Sequence, residues 1–434
     1  MIFILTIILL VAAIINYQIN EGEIFNPAFV VTGSFFLFSF LCCLANMYIN
    51  IDINNIMTIL VISTGLGIFT FVNYCYPSSR NKCDFNLNYK FSINLIWSYI
   101  GILIMLSTIY VNYKYIVDFA GAYGIGGDFF ECAVQYKAIT TFSSADRILV
   151  TSPWYRSKLI ILANVFAYLF LYLFFRDRVM YKRTHFLYLI VVGLYVVYSL
   201  MGGGRSDLFR LITASLFLWG YFKEKANREL FSQFNMLIKM LSIIGVVAVL
   251  FVLFVVAMGR TSYDFDIEYV IMSIFVYAAA PIFNLDIYFE NPWNQTHNIF
   301  GEMTFIRGIN WLGDRFHISN MVYELDLPFL SYQNYNLGNV YTTFYSFYYD
   351  FGFIGVVVLS LFMAIFSLWC YSHLRRHNDD EVVSMLWVIA YAYLINDLIM
   401  LPFSNRFYET VVNVSTWYNV VAFYCFVKFL RNAR

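Results

Sequence analysis

The sequence predicts an all-α polytopic membrane protein with about 11 transmembrane helices, 12 at most. Two observations carry this. The 434 residues are 61% hydrophobic and only 12% charged, about half the charge fraction of an ordinary soluble domain. Apolar runs long enough to cross a hydrocarbon core, which takes about 20 residues of helix, recur along the whole chain. The runs are continuous and lack the alternation over about ten residues that marks a membrane β-barrel.

Spans are expected at about 2–17, 28–48, 55–73, 92–112, 159–175, 185–201, 207–222, 236–257, 351–371, 382–402 and 410–428. The first run, "MIFILTIILLVAAII", has no basic leader and reads as a retained helix. Four short basic segments set the orientation: "RDRVMYKR" (176–183), "KEKANR" (223–228), "HLRRH" (373–377) and "KFLRNAR" at the C-terminus. All face the cytoplasm if the N-terminus is outside and 258–350 makes no net crossing. The run "YVIMSIFVYAAAPIF" (269–283) is apolar but short, contains Pro281 and is followed by Asp286. It reads as a re-entrant or interfacial helix, because a crossing there would turn the first two basic loops outward. Two longer segments, about 113–158 and 258–350, then face outside. With no repeat and no linker, 1–434 reads as a single integral-membrane domain.

Equal numbers of basic and acidic residues, 27 each, give no case for a nucleic-acid partner. The seven cysteines form no metal pattern, and only Cys75 and Cys83 share a polar loop. Neither GxxxxGK[ST] nor GxGxxG occurs, and no HExxH argues for zinc.

The outward arginines of this map are Arg147, Arg156, Arg205, Arg210, Arg260, Arg307, Arg315 and Arg406. A bland role for any of them is contact with lipid phosphates or pairing with a nearby Asp. Arg205 and Arg210 stand out in "YSLMGGGRSDLFRLI" (198–212). Gly202, Gly203 and Gly204 let a ligand approach backbone N–H groups, Ser206 or Asp207 can cap the helix that follows, and its N-terminus is a positive end. Arg205 completes an anion-binding corner. Arg210 lies some 7.5 Å deeper along the axis and about 140° around it, so it should face the bundle interior. The alternative is a hinge with Arg205 paired to Asp207.

Arg260 follows a helix end at Gly259. The loop "THNIFGEMTFIRGINWLGDRFHIS" (296–319) then carries His297, Glu302, Arg307, Trp311, Asp314, Arg315 and His317, the materials of an anion clamp and a general base. Next, "GNVYTTFYSFYYDFGFIGVVVLS" (338–360) leads into a span. Its aromatics read as an interfacial belt or as a stacking surface for sugar rings. Asp350, at the membrane entry, needs a partner, and an outward arginine is the obvious one. Asp397 and Arg406 read as a second such pair.

This order of parts, a Gly-Arg turn opening a mid-chain helix, an Arg-bearing outer loop and then "NVYTTFYSFYYDFGFIG", resembles the oligosaccharide repeat-unit polymerases, the O-antigen (Wzy-type) polymerases of Gram-negative bacteria. The likeness covers most of the chain as architecture and about 200–212 and 338–356 as motif. An arginine-then-glycine spacing with ten residues between, found in the outer loops of some members, is absent after Arg205, Arg210, Arg260, Arg307 and Arg315.

The resemblance implies a metal-independent glycosyltransferase of the bacterial inner membrane, with no cofactor. A glycan on undecaprenyl pyrophosphate would be transferred to the terminal sugar of a new lipid-linked repeat unit, building O-antigen polysaccharide for lipopolysaccharide on the periplasmic face. Its partners would be lipid-linked repeat units, membrane lipids and a chain-length regulator protein. Arg205, Arg210 and Arg260, with the turn of Gly203 and Gly204, would hold pyrophosphate, and Arg307 or Arg315 would assist. His317 is the first candidate for the base and Asp350 the second. An O-antigen ligase has the same many-helix plan and Arg/His chemistry. A lipid-linked oligosaccharide flippase should show two related halves, and a cytoplasmic-donor glycosyltransferase should show nucleotide-sugar chemistry on the inner loops.

Overall fold

A computed structural model describes residues 1–76, 93–142, 152–202, 206–226, 232–242, 245, 267–293, 300–318, 327–333, 335–376 and 380–432. Among them, seven helices are long and apolar enough to cross a membrane. The chain forms two compact units.

Unit 1 comprises Met1–Asn81, Ser232–Arg375 and Asp397–Asn413. It opens with α1 (Ile2–Ile19), α2 (Pro27–Ile49) and α3 (Ile56–Cys75), packed on one another. Their starts follow from local chemistry. The Asn26 side chain accepts the Ala28 N–H, and Pro27, which has no N–H to satisfy, occupies the first helical position. Asn55 caps α3 in the same way through the Met57 N–H.

The two ends of this bundle are fixed by buried carboxylates. At the Asn20–Asn26 end, Tyr371 donates to Glu23 at 2.9 Å and Arg375 pairs with it at 3.1 Å. At the opposite end, Asp286 accepts the N–H groups of Asn54 (2.8 Å) and Asn55 (3.1 Å) and the Thr58 hydroxyl (2.6 Å).

Asp286 belongs to α9 (Ile267–Glu290), a continuous helix of 24 residues in place of the short segment that the sequence suggests. At 1.5 Å per residue it is about 36 Å long. Its Ala279 carbonyl receives the Cys42 thiol of α2, and its C-terminal third reaches the start of α3. Helix α9 therefore runs parallel to α2 and packs on both α2 and α3. Pro281 does not break it.

The later part of unit 1 holds α10 (Ile306–Phe316), a small antiparallel hairpin of β1 (Leu330–Tyr332) and β2 (Tyr335–Gly338), α11 (Thr343–Arg375) and α13 (Arg406–Val411). Asn284 of α9 holds the end of the hairpin by donating to the Val340 carbonyl at 2.8 Å.

Helix α11 does not enter straight from the loop. Gly352 breaks it with φ 64° and ψ −156°, a region that is essentially glycine's alone. A Cβ on Gly355 would lie 2.5 Å from the Phe347 carbonyl oxygen, yet residues eight apart in a straight helix are about 12 Å apart along the axis. The chain thus reverses at Gly352, and 343–351 folds back on 353–375. The folded-back limb reaches inward: the Phe344 ring occupies the space that a Cβ on Gly65, midway along α3, would need, and it also meets Phe35 of α2 at 5.3 Å.

Unit 2 comprises Lys82–Phe231, Arg376–Asn396 and Val414–Arg434. Helices α4 (Leu95–Ala122), α6 (Trp154–Met180) and α7 (Phe186–Met201) pack mutually. Helices α8 (Ser206–Ala226) and α14 (Val414–Asn432) lie on α6, and most of α12 (Glu381–Ile399) belongs here too. Helix α4 runs ten residues past its expected end and packs on α5 (Phe129–Phe142), so much of the expected 113–158 loop is helix.

Gly352→Ala is expected to lower stability by about 1–3 kcal/mol. Gly67→Ala, on α3 with open space around it, should be neutral or slightly stabilising; thermal unfolding of the purified variants measures both. In a cysteine-free background, cysteines at Asn54 and Asn291 should react with an impermeant maleimide from one side of the membrane, and one at Glu21 from the other. Labelling of Asn291 from the Glu21 side would refute the parallel course of α9.

Candidate functional site

The sequence-predicted residues fall in both units, and each unit carries its own polar constellation. In unit 2, α8 begins at Ser206 as expected and turns Arg210 inward, its side chain only 11% exposed. Arg210 Nη1 donates to the Tyr393 hydroxyl at 2.7 Å, and the guanidinium lies 4.1 Å from the centre of that ring. Asp207, one turn earlier, is 3.9 Å away and half exposed. Thr213, the next turn inward, lies 3.3 Å from Asn396 Oδ1.

A ladder of hydroxyls and amides continues across the helices. Tyr195 of α7 donates to Asn164 of α6 at 2.9 Å, and Asn164 donates to Asn419 of α14 at 3.4 Å. The Tyr168 ring packs against both Tyr195 and Tyr393. The sequence reading passed over these residues. The available signal was spacing: Asn164 and Tyr168 are four apart, and Tyr393 and Asn396 three apart, so each pair shares one face of an apolar span. Polar groups within such a span need internal partners.

In unit 1, α10 is amphipathic. Ile306, Ile309 and Gly313 are buried, with Gly308 against Val412 beyond α13, while Arg307, Trp311, Asp314 and Arg315 are exposed. Arg307 and Asp314 are seven apart and share one stripe of the helix. His317 ends α10 in the left-handed conformation, φ 55°, with its N–H on the Gly313 carbonyl and its ring exposed. Among the described residues no ion pair engages Arg307, Arg315 or His317.

Asp350 finds a partner other than an arginine. Its carboxylate accepts the backbone N–H groups of Met303 (3.2 Å) and Thr304 (2.6 Å). The segment before α10 is thereby tied to the folded-back limb of α11. Thr304 donates to the Ser346 carbonyl, and Asn405 to the Thr304 carbonyl, which completes the clamp. Glu302 is buried beside it and accepts the Tyr349 hydroxyl at 3.3 Å. A carboxylate whose two oxygens both hold backbone N–H groups is occupied as a structural acceptor, and that counts against its role as a base.

Two further expectations are corrected. Arg406 pairs with Glu409, three residues on in α13, at 3.3 Å and not with Asp397. Only part of the aromatic run after Gly338 is open to a belt or a stacking surface: Tyr348, Tyr349 and Phe351 are half-buried and Phe353 is exposed. Tyr341, Phe344, Tyr345 and Phe347 are buried, and Tyr345 is packed against Tyr288, Trp293 and Tyr341. Gly203, Gly204, Arg205, Arg260, His297 and Arg147 lie outside the described residues.

Comparison of the chain with protein-family models, with curated proteins and with solved structures gives no match. What helix length and hydropathy define is therefore a class, a multi-pass α-helical membrane protein.

Asp350→Ala orphans two N–H groups and should destabilise unit 1 by about 1–3 kcal/mol, read as a lower unfolding temperature. A variant as stable as wild type would show that the clamp contributes nothing.

Proposed function

We propose that this protein joins oligosaccharide repeat units carried on undecaprenyl pyrophosphate into O-antigen polysaccharide at the periplasmic face of a bacterial inner membrane. The observation that carries this reading is Arg210, a guanidinium held inside a helical unit by an aromatic hydroxyl and a ring. A fixed, largely dry cation suits a reaction whose leaving group is a pyrophosphate. Charge develops on that group as the glycosidic bond breaks, and preorganised donors act most strongly where water is excluded. Arginine keeps its charge at every working pH and offers two parallel N–H groups to phosphate oxygens.

In the proposed step the acceptor sugar hydroxyl attacks the anomeric carbon of the growing glycan. The bond from that carbon to the pyrophosphate oxygen breaks, and undecaprenyl pyrophosphate departs with the electron pair. The hydroxyl proton passes to a base, for which the exposed imidazole of His317 is the first candidate. Arg205, Gly203 and Gly204, in the turn ahead of α8, are the candidates for further pyrophosphate contacts. Arg260, Arg307 and Arg315 are the further candidate cations. A chain-length regulator is the expected protein partner.

Deleting the gene in its host should collapse the lipopolysaccharide ladder to core plus one repeat unit. Core carrying no repeat would overturn this reading in favour of a ligase or a flippase. In the deletion strain, an Arg210→Ala gene should polymerise on the order of 10²-fold more slowly than the restored wild-type gene at equal expression. Arg210→Lys should recover little of the loss, since it supplies the charge without the fork.

A further inference from the structure

We propose that Arg156 is the centre of a separate site in unit 2 that binds the phosphate of a membrane lipid. Arg156 lies in the first turn of α6. Its guanidinium is held on three sides by neutral groups. Nε and Nη2 both donate to Asn112 Oδ1, at 3.1 and 2.8 Å, Nη1 donates to Ser152 Oγ at 3.3 Å, and the Tyr115 ring covers one face with its centre 3.9 Å from the guanidinium carbon. A guanidinium has five N–H donors, so among the described residues two have no acceptor.

Several other arginines of the fold carry a counter-charge that Arg156 lacks among the described residues. Arg176 meets Asp177, Arg375 meets Glu23, Arg406 meets Glu409 and Arg431 meets Asp380. Among the described residues Arg156 has no carboxylate within 4 Å. Its chief acceptor, Asn112, is buried and is an amide where an aspartate would have cancelled the charge. The arrangement fixes the fork and leaves its charge intact. A cation at the positive end of a 27-residue helix is misplaced electrostatically unless an anion joins it.

Position selects the anion. The two residues just before Arg156 are Trp154 and Tyr155, 78% and 45% exposed. Exposed aromatics of this kind at the end of an apolar helix sit at headgroup level. The anion present at that depth is a lipid phosphate, and a flat fork with two open N–H groups matches its oxygens. Either an ordinary anionic phospholipid or a polyprenyl pyrophosphate carries that chemistry. The site does not depend on the polymerase reading, because a lipid phosphate would seat here whatever reaction the protein performs.

Native mass spectrometry of the full-length protein in detergent, titrated separately with farnesyl pyrophosphate and with dihexanoyl phosphatidylglycerol, tests this. Dihexanoyl phosphatidylcholine serves as the neutral control. Arg156→Gln should weaken binding of at least one anionic probe about tenfold, as expected for loss of charge-assisted hydrogen bonds. Asn112→Asp should do the same by neutralising the fork while keeping it in place. A purely structural Arg156 would be unharmed or strengthened by that second change, so it discriminates even if Arg156→Gln fails to fold. Loss confined to farnesyl pyrophosphate would assign the site to a polyprenyl-linked substrate, and loss confined to phosphatidylglycerol would assign it to a bound phospholipid. Unchanged affinity for both probes in folded Asn112→Asp protein would overturn the proposal.

Discussion

A carboxylate that accepts backbone N–H groups recurs at four places near helix starts in this chain. Asp286 holds the N–H groups of Asn54 and Asn55 ahead of α3, and Asp350 those of Met303 and Thr304 ahead of α10. Asp52 takes the N–H groups of Ile2 and Ile53. Asp380 takes that of Val382 at the start of α12. A helix start leaves donors unsatisfied, and an apolar surrounding offers no water to take them. At Asp380 burial alone would push the carboxyl's pKa up, but the Val382 N–H and the Arg431 guanidinium outweigh it and hold it below the usual range. Each carboxylate also ties together segments far apart in sequence, so the same contact that satisfies a helix end sets the tertiary arrangement.

The reversal at Gly352 depends on this device. Folding 343–351 back on the rest of α11 requires the left-handed backbone of Gly352 and the missing side chain at Gly355. It also leaves the tip needing partners, and Asp350 supplies one by gripping the segment that precedes α10. The amphipathic helix with Arg307, Arg315 and His317 is thus positioned by a re-entrant limb of the bundle, with Tyr341 and Tyr345 packed beneath the same region. Sites in unit 2 are built differently. There, Arg210 and Arg156 are oriented by neutral hydroxyls, amides and aromatic rings, with half-exposed Asp207 a counter-charge 3.9 Å from Arg210.

Much of the helical plan was legible from residues alone. Continuous apolar runs announce α1 to α3, α6, α7, α8 and α12, and local caps such as Asn26 and Asn55 act through neighbours two residues away. The inward turn of Arg210 follows from 3.6 residues per turn once the helix start at Ser206 is recognised. The Tyr–Asn ladder was less visible, because a hydroxyl or amide in an apolar run says that it needs a partner and not which helix provides it.

The sequence by itself determined the class of protein, the apolar spans and the type of charge available to a site, since these depend on composition and on contacts within a turn or two. Tertiary structure alone decided three things: that Asp350 meets backbone N–H groups and, among the described residues, no arginine, that α9 is a full-length helix along α2, and that α11 doubles back at Gly352. Each is set by packing between segments tens to hundreds of residues apart, where Gly65 must make room for Phe344 and Asp286 must reach Asn54. Periodicity carries no record of which faces will meet.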